Sequence, residues 1–195
     1  MKKIIEEALG ESLKAKKVFI EENASELILL AEKIVLAFTN DRKLLLCGNG
    51  GSAADAQHIA AEFVNRFELE RPPLPAIALT TDTSIITSIG NDYSFGDIFA
   101  KQIKAIGVEG DILLAISTSG ISPNIISAAE TAMAQGIYVV GLTGGDGGKL
   151  KEIVDSCLIV KSENTARIQE THIFACHIVC KLVDYILFQR ETPED

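Results

Sequence analysis

Short apolar runs alternate along the chain with longer stretches in which apolar residues recur every three or four positions. An apolar run bounded by turn residues is typical of a buried strand, and the longer spacing is typical of an amphipathic helix. The predicted strands are Leu44–Cys47, Ala76–Leu79, Asp111–Ile116, Ile137–Leu142 and Cys157–Val160. Because helices are predicted between these strands, the sequence predicts an α/β fold with a mostly parallel sheet and helices on both faces.

Two helices are predicted before the first strand, over residues 2–22 and Asn23–Thr39. Their apolar positions are Ile4, Ile5, Leu9, Leu13 and Phe19 in the first helix and Leu27, Leu30, Ile34 and Phe38 in the second. A minimal α/β domain does not need these two helices. We therefore expect their apolar stripes to pack between the subunits of an oligomer.

The remaining helices are predicted from periodicity and from residues that start or stop a helix. Their predicted bounds are Asp82–Ile89, ended by Gly90-Asn91-Asp92; Phe95–Ile106; Pro123–Ala134, with Ser122 as its N-cap and Gly136 after its end; Lys149–Ile153; and Asn164–Gln189. The prolines of Arg71–Pro75 mark a connection instead of a helix. The tail Glu191–Asp195 is expected to fray.

The turn after the first predicted strand has the chemistry of a ligand site. Gly48-Asn49-Gly50-Gly51 precedes a helix with Ser52 as predicted N-cap and Asp55 as its acidic capping partner. Glycines let a ligand approach the main chain, and a helix N-terminus offers free N–H groups to an anion. His58 and Glu62 are four residues apart and project from one face of this helix. Taken alone, the unit is also compatible with an ordinary tight turn and a solvated His/Glu pair.

A second candidate site follows the predicted strand Asp111–Ile116. Four hydroxyls lie within six residues at a helix N-terminus, those of Ser117, Thr118, Ser119 and Ser122. Hydroxyls, N–H groups and the helix dipole together suit a phosphate, although an ordinary serine-rich turn is the alternative. Because no lysine accompanies them, a sugar monophosphate is favoured over a nucleoside triphosphate with Mg²⁺. Both turns and the loop Thr143–Gly148 are expected at the carboxyl edge of the sheet, where α/β proteins bind ligands.

The terminal helix offers two alternative sets of polar residues. Gln169 and His177 are separated by about 80° around the helix axis, so both can line one cleft. His172, Cys176 and Cys180 form a rival set at i, i+4 and i+8 that could in principle ligate zinc, although we interpret the cysteines mainly as core.

Spacing alone does not choose between the two histidines of the terminal helix. His58, Glu62, Gln169 and one further histidine would form a mixed nitrogen and oxygen site that is compatible with zinc, although glutamine is an unusual ligand.

Length and composition narrow the choice of function. The 195 residues, 47% of them hydrophobic, suffice for one domain, which we divide into N-terminal helices over 1–40 and an α/β core over 41–190. The net charge of −9 argues against nucleic-acid binding through a basic surface, but not against a small phosphorylated ligand. No apolar run reaches the roughly 18 residues of a membrane span, and the N-terminus lacks a signal core. We therefore expect a cytoplasmic protein, and four cysteines without CxxC spacing fit that compartment.

Five segments of the chain resemble the phosphoheptose isomerases, which have a SIS domain. They are CGNGGSAADAQHIAAEF, GNDYSFGDIF, GDILLAISTSGISPNI, LTGGDGG and ARIQETHIFACHIV, and the resemblance covers essentially the whole chain. It implies a three-layer sandwich around a flavodoxin-like sheet. It also implies a cytoplasmic homotetramer, with sites at subunit interfaces, that converts sedoheptulose 7-phosphate to D-glycero-D-manno-heptose 7-phosphate. That reaction begins the synthesis of the heptose in bacterial surface glycans such as lipopolysaccharide. Many members bind zinc.

The resemblance assigns a role to each candidate residue. The residues expected to bind the sugar and its phosphate are Asn49, Gly50, Gly51, Glu62, Asn91, Asp92, Ser117, Thr118, Ser119, Ser122 and Gln169. The expected zinc positions, with one ion per subunit, are His58, Glu62, Gln169 and His177. Glu62 also matches the catalytic glutamate and His177 the catalytic histidine. Arg66 falls near the site, and Ala166 stands where some members carry an aspartate.

A non-enzymatic relative shares these motifs and is the alternative. It is a tetrameric scaffold that binds the replication initiator DnaA, and segments such as NRFELERPPLPAIAL resemble it as well. That relative lacks the catalytic glutamate and histidine, whereas this chain has Glu62 and His177. An aldose–ketose isomerase moves a proton between C1 and C2 through an enediol(ate), and it needs one base and one acid. A partly desolvated carboxylate suits the base, and a histidine suits the acid.

Overall fold

Five strands form one sheet in the computed structural model, which describes residues 1–189. They are β1 (Leu44–Gly48), β2 (Ala76–Ala78), β3 (Ile112–Ser117), β4 (Tyr138–Gly144) and β5 (Ser156–Val160). Their order is β2-β1-β3-β4-β5, and every neighbouring pair is parallel. This is the strand order of flavodoxin-like sheets, so the predicted fold class is confirmed.

The helices cover the two faces of this sheet. They are α1 (Lys2–Thr39), α2 (Gly51–Val64), α3 (Thr83–Asp92), α4 (Ile98–Ile106), α5 (Pro123–Ala134), α6 (Leu150–Ile153) and α7 (Thr165–Phe188). One apolar core lies between the sheet and the helices α1, α2 and α7, and the other lies between the sheet and α4, α5 and α6. Side chains of the three central strands alternate between the cores: in β1, Leu44 and Leu46 face the first, and Leu45 and Cys47 face the second. The result is a three-layer sandwich.

The prediction of two N-terminal helices is wrong, because residues from Lys2 to Thr39 form one helix. Asn23, taken as the start of a second helix, is buried within it and donates from Nδ2 to the carbonyl of Phe19 at 2.9 Å. An asparagine that bonds the carbonyl one turn back is accommodated inside a helix. The first part of α1 does not contact the core. Its large apolar side chains are 60 to 68% exposed, namely those of Ile4, Ile5, Leu9 and Leu13. Their burial between subunits stays a prediction.

Two local predictions in the middle of the chain also need correction. Gly90-Asn91-Asp92 does not end α3 early but forms its last turn, because an exposed glycine costs a helix only about 1 kcal/mol. The helix predicted over Phe95–Ile106 is a 3₁₀ turn, Phe95–Asp97, followed by α4. Asp82 is the N-cap of α3, and its side chain accepts from the N–H of Ile85 at 2.9 Å. The predicted frayed tail lies outside the described residues.

The helix α7 is long and apolar enough to cross a membrane by length and composition alone. Its position in the fold gives a different explanation for that composition. Nine of its residues are buried inside the domain, and it packs against α1, α2 and the sheet. It is therefore a core helix, and its apolar character comes from contacts on several sides.

Candidate functional site

The loops that follow β1, β3 and β4 leave the same edge of the sheet. The register pairs Gly48 with Ile116 and Ser117 with Thr143, so the three loops begin side by side. α7 crosses above them: Ile168 lies against Gly144, and the His172 ring contacts the carbonyl of Thr143. The predicted ligand edge is therefore assembled from three strand ends and one helix.

The start of α2 differs from the prediction. Gly50 is its N-cap, with φ of +54°, and no side chain caps the helix. Ser52 is buried in the first turn instead of standing at the cap, and Asp55 does not act as a capping partner. A positive φ at the N-cap position favours glycine, and this geometry starts α2 two residues earlier than a serine cap would. The first N–H groups of α2 remain free of side-chain partners.

His58, Glu62 and His177 form a cluster of ligand atoms that lie within 4.8 Å of one another. His58 Nε2 lies 3.0 Å from Glu62 Oε1 and 3.2 Å from His177 Nε2. The two residues on α2 are one helical turn apart, and His177 comes from α7. The Phe67 ring packs beside the His177 ring, with 5.2 Å between ring centroids. The structure thus brings the predicted pair on α2, His58 and Glu62, together with His177, one of the two candidate histidines on α7.

The surroundings of this cluster shift two pKa values. Burial lowers the pKa of His177, the neighbouring His58 lowers it further, and Glu62 opposes both. Asp55 lies one turn before His58, and burial raises its carboxyl pKa, whereas His58 acts in the opposite direction. One oxygen of Asp55 is buried without a hydrogen-bond partner among the described residues. Both shifts favour neutral forms, as expected where protein displaces water.

Gln169 reaches the beginning of α2. A Cβ atom on Gly51 would overlap the Gln169 amide, so the absence of a side chain at residue 51 makes room for it. Gln169 and His177 are both half-buried on α7. That they line one cleft stays a prediction.

The rival set on α7 belongs to the core. His172 is fully buried, and its Nε2 lies 3.0 Å from the carbonyl of Thr143. Burial lowers the pKa of His172 to about 4, and it raises the thiol pKa of Cys176 to about 12. Cys180 is also buried, with a raised pKa. A neutral imidazole and two protonated thiols make this set a poor metal site.

The hydroxyl-rich loop after β3 is folded as a compact turn. Ser117 Oγ accepts from the N–H of Gly120 at 3.2 Å and lies 3.2 Å from Ser122 Oγ. Gly120 has φ of +65°, and a Cβ there would overlap the carbonyl of Gly147 in the next loop. Thr118 and the exposed Ser119 line an open cleft between these two loops. Ser122 stands at the N-cap of α5, as predicted, although no side-chain bond caps the helix.

Asn124 is a residue at this edge that the sequence analysis missed. Its side chain and that of Asn49 exchange two hydrogen bonds, of 2.9 and 2.8 Å, across the gap between the first and second loops. Asn124 is 2% exposed. Its place in the first turn of α5, after the serine-rich loop, was the available signal. The pair fixes the orientation of Asn49, a predicted sugar ligand.

Asn91 and Asp92 are not brought to the cluster by this single chain. Both are exposed at the end of α3, and Asn91 Nδ2 donates to Asp92 Oδ1 at 2.9 Å. Arg66 is likewise exposed and pairs with Glu70 at 3.5 Å. Gln169 and the residues of the loops after β1 and β3 lie at the carboxyl edge, whereas His58, Glu62 and His177 lie further along α2 and α7.

Comparison of the sequence with models of known protein families identifies the family of this chain. Residues 9–144 match the model of the SIS domain, which is more than half of the chain. The chain therefore belongs to the SIS domain family.

Individual relatives assign the chain to a narrower group within this family. A phosphoheptose isomerase of Roseiflexus sp. (strain RS-1) is 55% identical over 178 residues, which is 91% of this chain and 90% of that protein. The structure of a phosphoheptose isomerase from Francisella tularensis superposes with a TM-score of 0.90 at 44% identity and covers 93% of this chain and 97% of that one. The corresponding structure from Neisseria gonorrhoeae gives 0.89 at 44% identity, with 94% and 98% covered. Within the SIS domain proteins, the chain belongs to the phosphoheptose isomerases. The alternative of a scaffold that binds DnaA finds no support in these relatives.

Proposed function

We propose that the protein converts sedoheptulose 7-phosphate to D-glycero-D-manno-heptose 7-phosphate. One observation carries the proposal: the side chains of Glu62, His58 and His177 meet in one cluster between α2 and α7. A carboxylate and an imidazole within a few ångströms suit proton transfer, and the loop suits a phosphate. The relatives described above carry the name of this activity.

The reaction needs a base that removes a proton from one carbon and returns it to the next. Glu62 is the proposed base, because its side chain is only 24% exposed and its carboxylate lies 3.0 Å from His58 Nε2. His177 is the proposed acid for the sugar oxygens. Burial lowers its pKa, which favours the neutral imidazole, and that form can donate a proton from one ring nitrogen to a developing oxyanion. Transfer through an enediol(ate) follows, with the proton returned on the adjacent carbon.

The phosphate end of the substrate is proposed to bind at the loop after β3. Ser117, Thr118, Ser119 and Ser122 supply hydroxyls there, and the N-terminus of α5 supplies a favourable dipole. Asn49, Gly50 and Gly51 in the neighbouring loop are proposed to contact the open sugar chain. The hydrogen bonds between Asn49 and Asn124 hold these two loops together.

A zinc ion fits the donors of the cluster. In a tetrahedral zinc site, two ligand nitrogens stand about 3.3 Å apart, and the Nε2 atoms of His58 and His177 are 3.2 Å apart. His58, Glu62, His177 and Gln169 are the proposed ligands. A bound zinc ion would polarise the carbonyl oxygen of the open-chain sugar.

Assembly and location complete the proposal. We propose a cytoplasmic homotetramer whose exposed apolar face on α1 is covered by other subunits. Asn91 and Asp92 are exposed in the single chain, and we propose that they reach a site formed with a neighbouring subunit. The product would supply heptose for bacterial surface glycans.

A coupled assay tests the proposal directly. Purified protein is incubated with sedoheptulose 7-phosphate, before and after removal of metal by a chelator and after addition of Zn²⁺. Turnover that Zn²⁺ restores supports both the reaction and the metal. An absence of turnover in every metal state contradicts the isomerase.

A further inference from the structure

A buried arginine joins the two helices that carry the clustered side chains. Arg71 lies in the connection after α2, and its side chain is 1% exposed. Its Nε donates to Asp184 Oδ1 on α7 at 2.8 Å. Its Nη1 and Nη2 donate to the carbonyls of Phe63 and Glu62, at 2.7 and 2.9 Å, in the last turn of α2. One guanidinium therefore holds the end of α2 and a late turn of α7 at the same time.

Both ends of this contact are directly connected to the cluster. The carbonyl that Arg71 binds belongs to Glu62, whose carboxylate faces His58 at 3.0 Å. Asp184 lies seven residues after His177, which places the two side chains on nearly the same face of α7, about 10 Å apart along its axis. A shift of Arg71 would therefore move α2 relative to α7 close to the cluster of His58, Glu62 and His177.

The buried pair of Arg71 and Asp184 is better suited to orienting α2 and α7 than to stabilising the folded protein. Burying an arginine and an aspartate costs desolvation free energy, and replacing such a pair with apolar residues is often neutral or stabilising. Asp184 Oδ2 is buried without a hydrogen-bond partner among residues 1–189, so the desolvation is not fully compensated. The planar fork of Arg71 nevertheless matches three acceptors in fixed directions, and its charge is favourable at the C-terminus of α2.

We propose that Arg71 and Asp184 are positioning residues, which set the distance between His58 and Glu62 on α2 and His177 on α7. The inference rests on the proposed function of this cluster. A displacement of about 1 Å at such a site can reduce a rate about 100-fold, and loss of a residue that orients metal ligands typically lowers metal affinity 10- to 100-fold.

Two changes at the pair separate positioning from stability. Arg71→Lys keeps the charge beside Asp184, but one ammonium group cannot span the carboxylate and the two carbonyls of α2. The double change Arg71→Met with Asp184→Leu removes both buried charges, so we expect the midpoint of unfolding to stay near the wild-type value or rise. It also removes every contact to the carbonyls of α2.

Two further changes serve as matched controls. Lys43→Gln breaks the buried ion pair of Lys43 with Asp111, at 2.7 Å, just before the first residues of β1 and β3. It lowers stability without touching α2 or α7. Lys181→Gln breaks the exposed pair with Glu68, at 2.8 Å, which also links α7 to the segment after α2.

The first readout is independent of both metal and turnover. Nitrogen-15 NMR of the imidazoles in the metal-free, full-length protein reports the contact between His58 and His177, with the buried His172 as an internal reference. We expect the signals of His58 and His177 to shift in Arg71→Lys and in the double variant, and those of His172 to stay in place. Both controls should leave all three unchanged. Wild-type positions for His58 and His177 in the double variant overturn the proposal.

The second readout joins metal affinity to kinetics. Competition with a chelator should show Zn²⁺ affinity about 10- to 100-fold lower in both pair variants, with kcat reduced and KM for sedoheptulose 7-phosphate near the wild-type value. A matching loss in Lys43→Gln overturns the proposal, because it would reflect stability alone. Wild-type protein reports on the proposed function: if it turns over no sugar phosphate, that function fails, while the NMR shifts still decide on Arg71 and Asp184.

Discussion

Replacing Glu62 with glutamine separates the chemistry of the cluster from its stability. The substitution keeps the size and hydrogen-bonding reach of the side chain but removes the charge and the basic oxygen. His58 Nε2, 3.0 Å from the carboxylate, can accept a hydrogen bond from the new amide. We therefore expect an intact cleft that lacks its base.

The expected magnitudes differ widely between stability and rate. The side chains of His58 and Glu62 are 45% and 24% exposed, so their pairing contributes only about 0 to 1 kcal/mol to the free energy of unfolding. Loss of a general base reduces a rate about 10²- to 10⁴-fold, which is about 3 to 5 kcal/mol of activation free energy. The loss should therefore appear in kcat, with little change in the midpoint of unfolding.

The assay follows kcat with sedoheptulose 7-phosphate, and NMR follows exchange of the substrate's C1 protons with D₂O. Glu70→Gln is a suitable control, because Glu70 is an exposed glutamate that pairs with Arg66. We expect both turnover and exchange to collapse in Glu62→Gln and to persist in the control. Turnover within about tenfold of wild type would show that another group is the base.

Three further changes test other parts of the molecule. Ser119→Ala should raise KM for the sugar phosphate by about 10- to 100-fold, the value of a hydrogen bond to a charged group, and an unchanged KM would remove Ser119 from the phosphate site. Gly51→Ala should displace the Gln169 amide and lower kcat without loss of stability, whereas Gly10→Ala, with no atom within 4 Å of the new Cβ, should leave kcat unchanged. The pKa of His172 falls from 6.5 to about 4 on folding, so the unfolded chain binds more protons between these values. Stability should therefore fall as the pH drops from about 6.5 to 4, by roughly 3 kcal/mol, and chemical denaturation of His172→Gln should show a flatter pH dependence.

The sequence predicted those parts of the fold that depend on neighbouring residues. The apolar runs of the five strands and the periodicity of the helices are local properties, and most predicted bounds agree with the structure to within a few residues. The glycine turn after β1 and the hydroxyl-rich loop after β3 were also recognisable, because ligand sites of parallel sheets follow the strand ends.

Local signals failed where packing overrode them. Asn23 is a common helix-capping residue, yet burial against the core and a bond to Phe19 keep it inside α1. Ser52 has the preferences of an N-cap, yet the positive φ of Gly50 begins α2 two residues earlier than a serine cap would allow. In both cases the contacts made by the folded chain outweighed a preference of about 1 kcal/mol.

Spacing along the sequence did not choose between the two histidines of α7; the family resemblance indicated His177, and the tertiary structure places it in the cluster. His172 and His177 are about 140° apart around the helix axis, so only one of them can face α2. That choice depends on the rotation of α7, which is set by the apolar residues that it buries against α1 and the sheet. The contacts of Asn49 with Asn124 and of Arg71 with Asp184 likewise join residues 75 and 113 positions apart. The sequence alone determined which side chains were available to the site, and packing over long distances in the chain decided which of them meet.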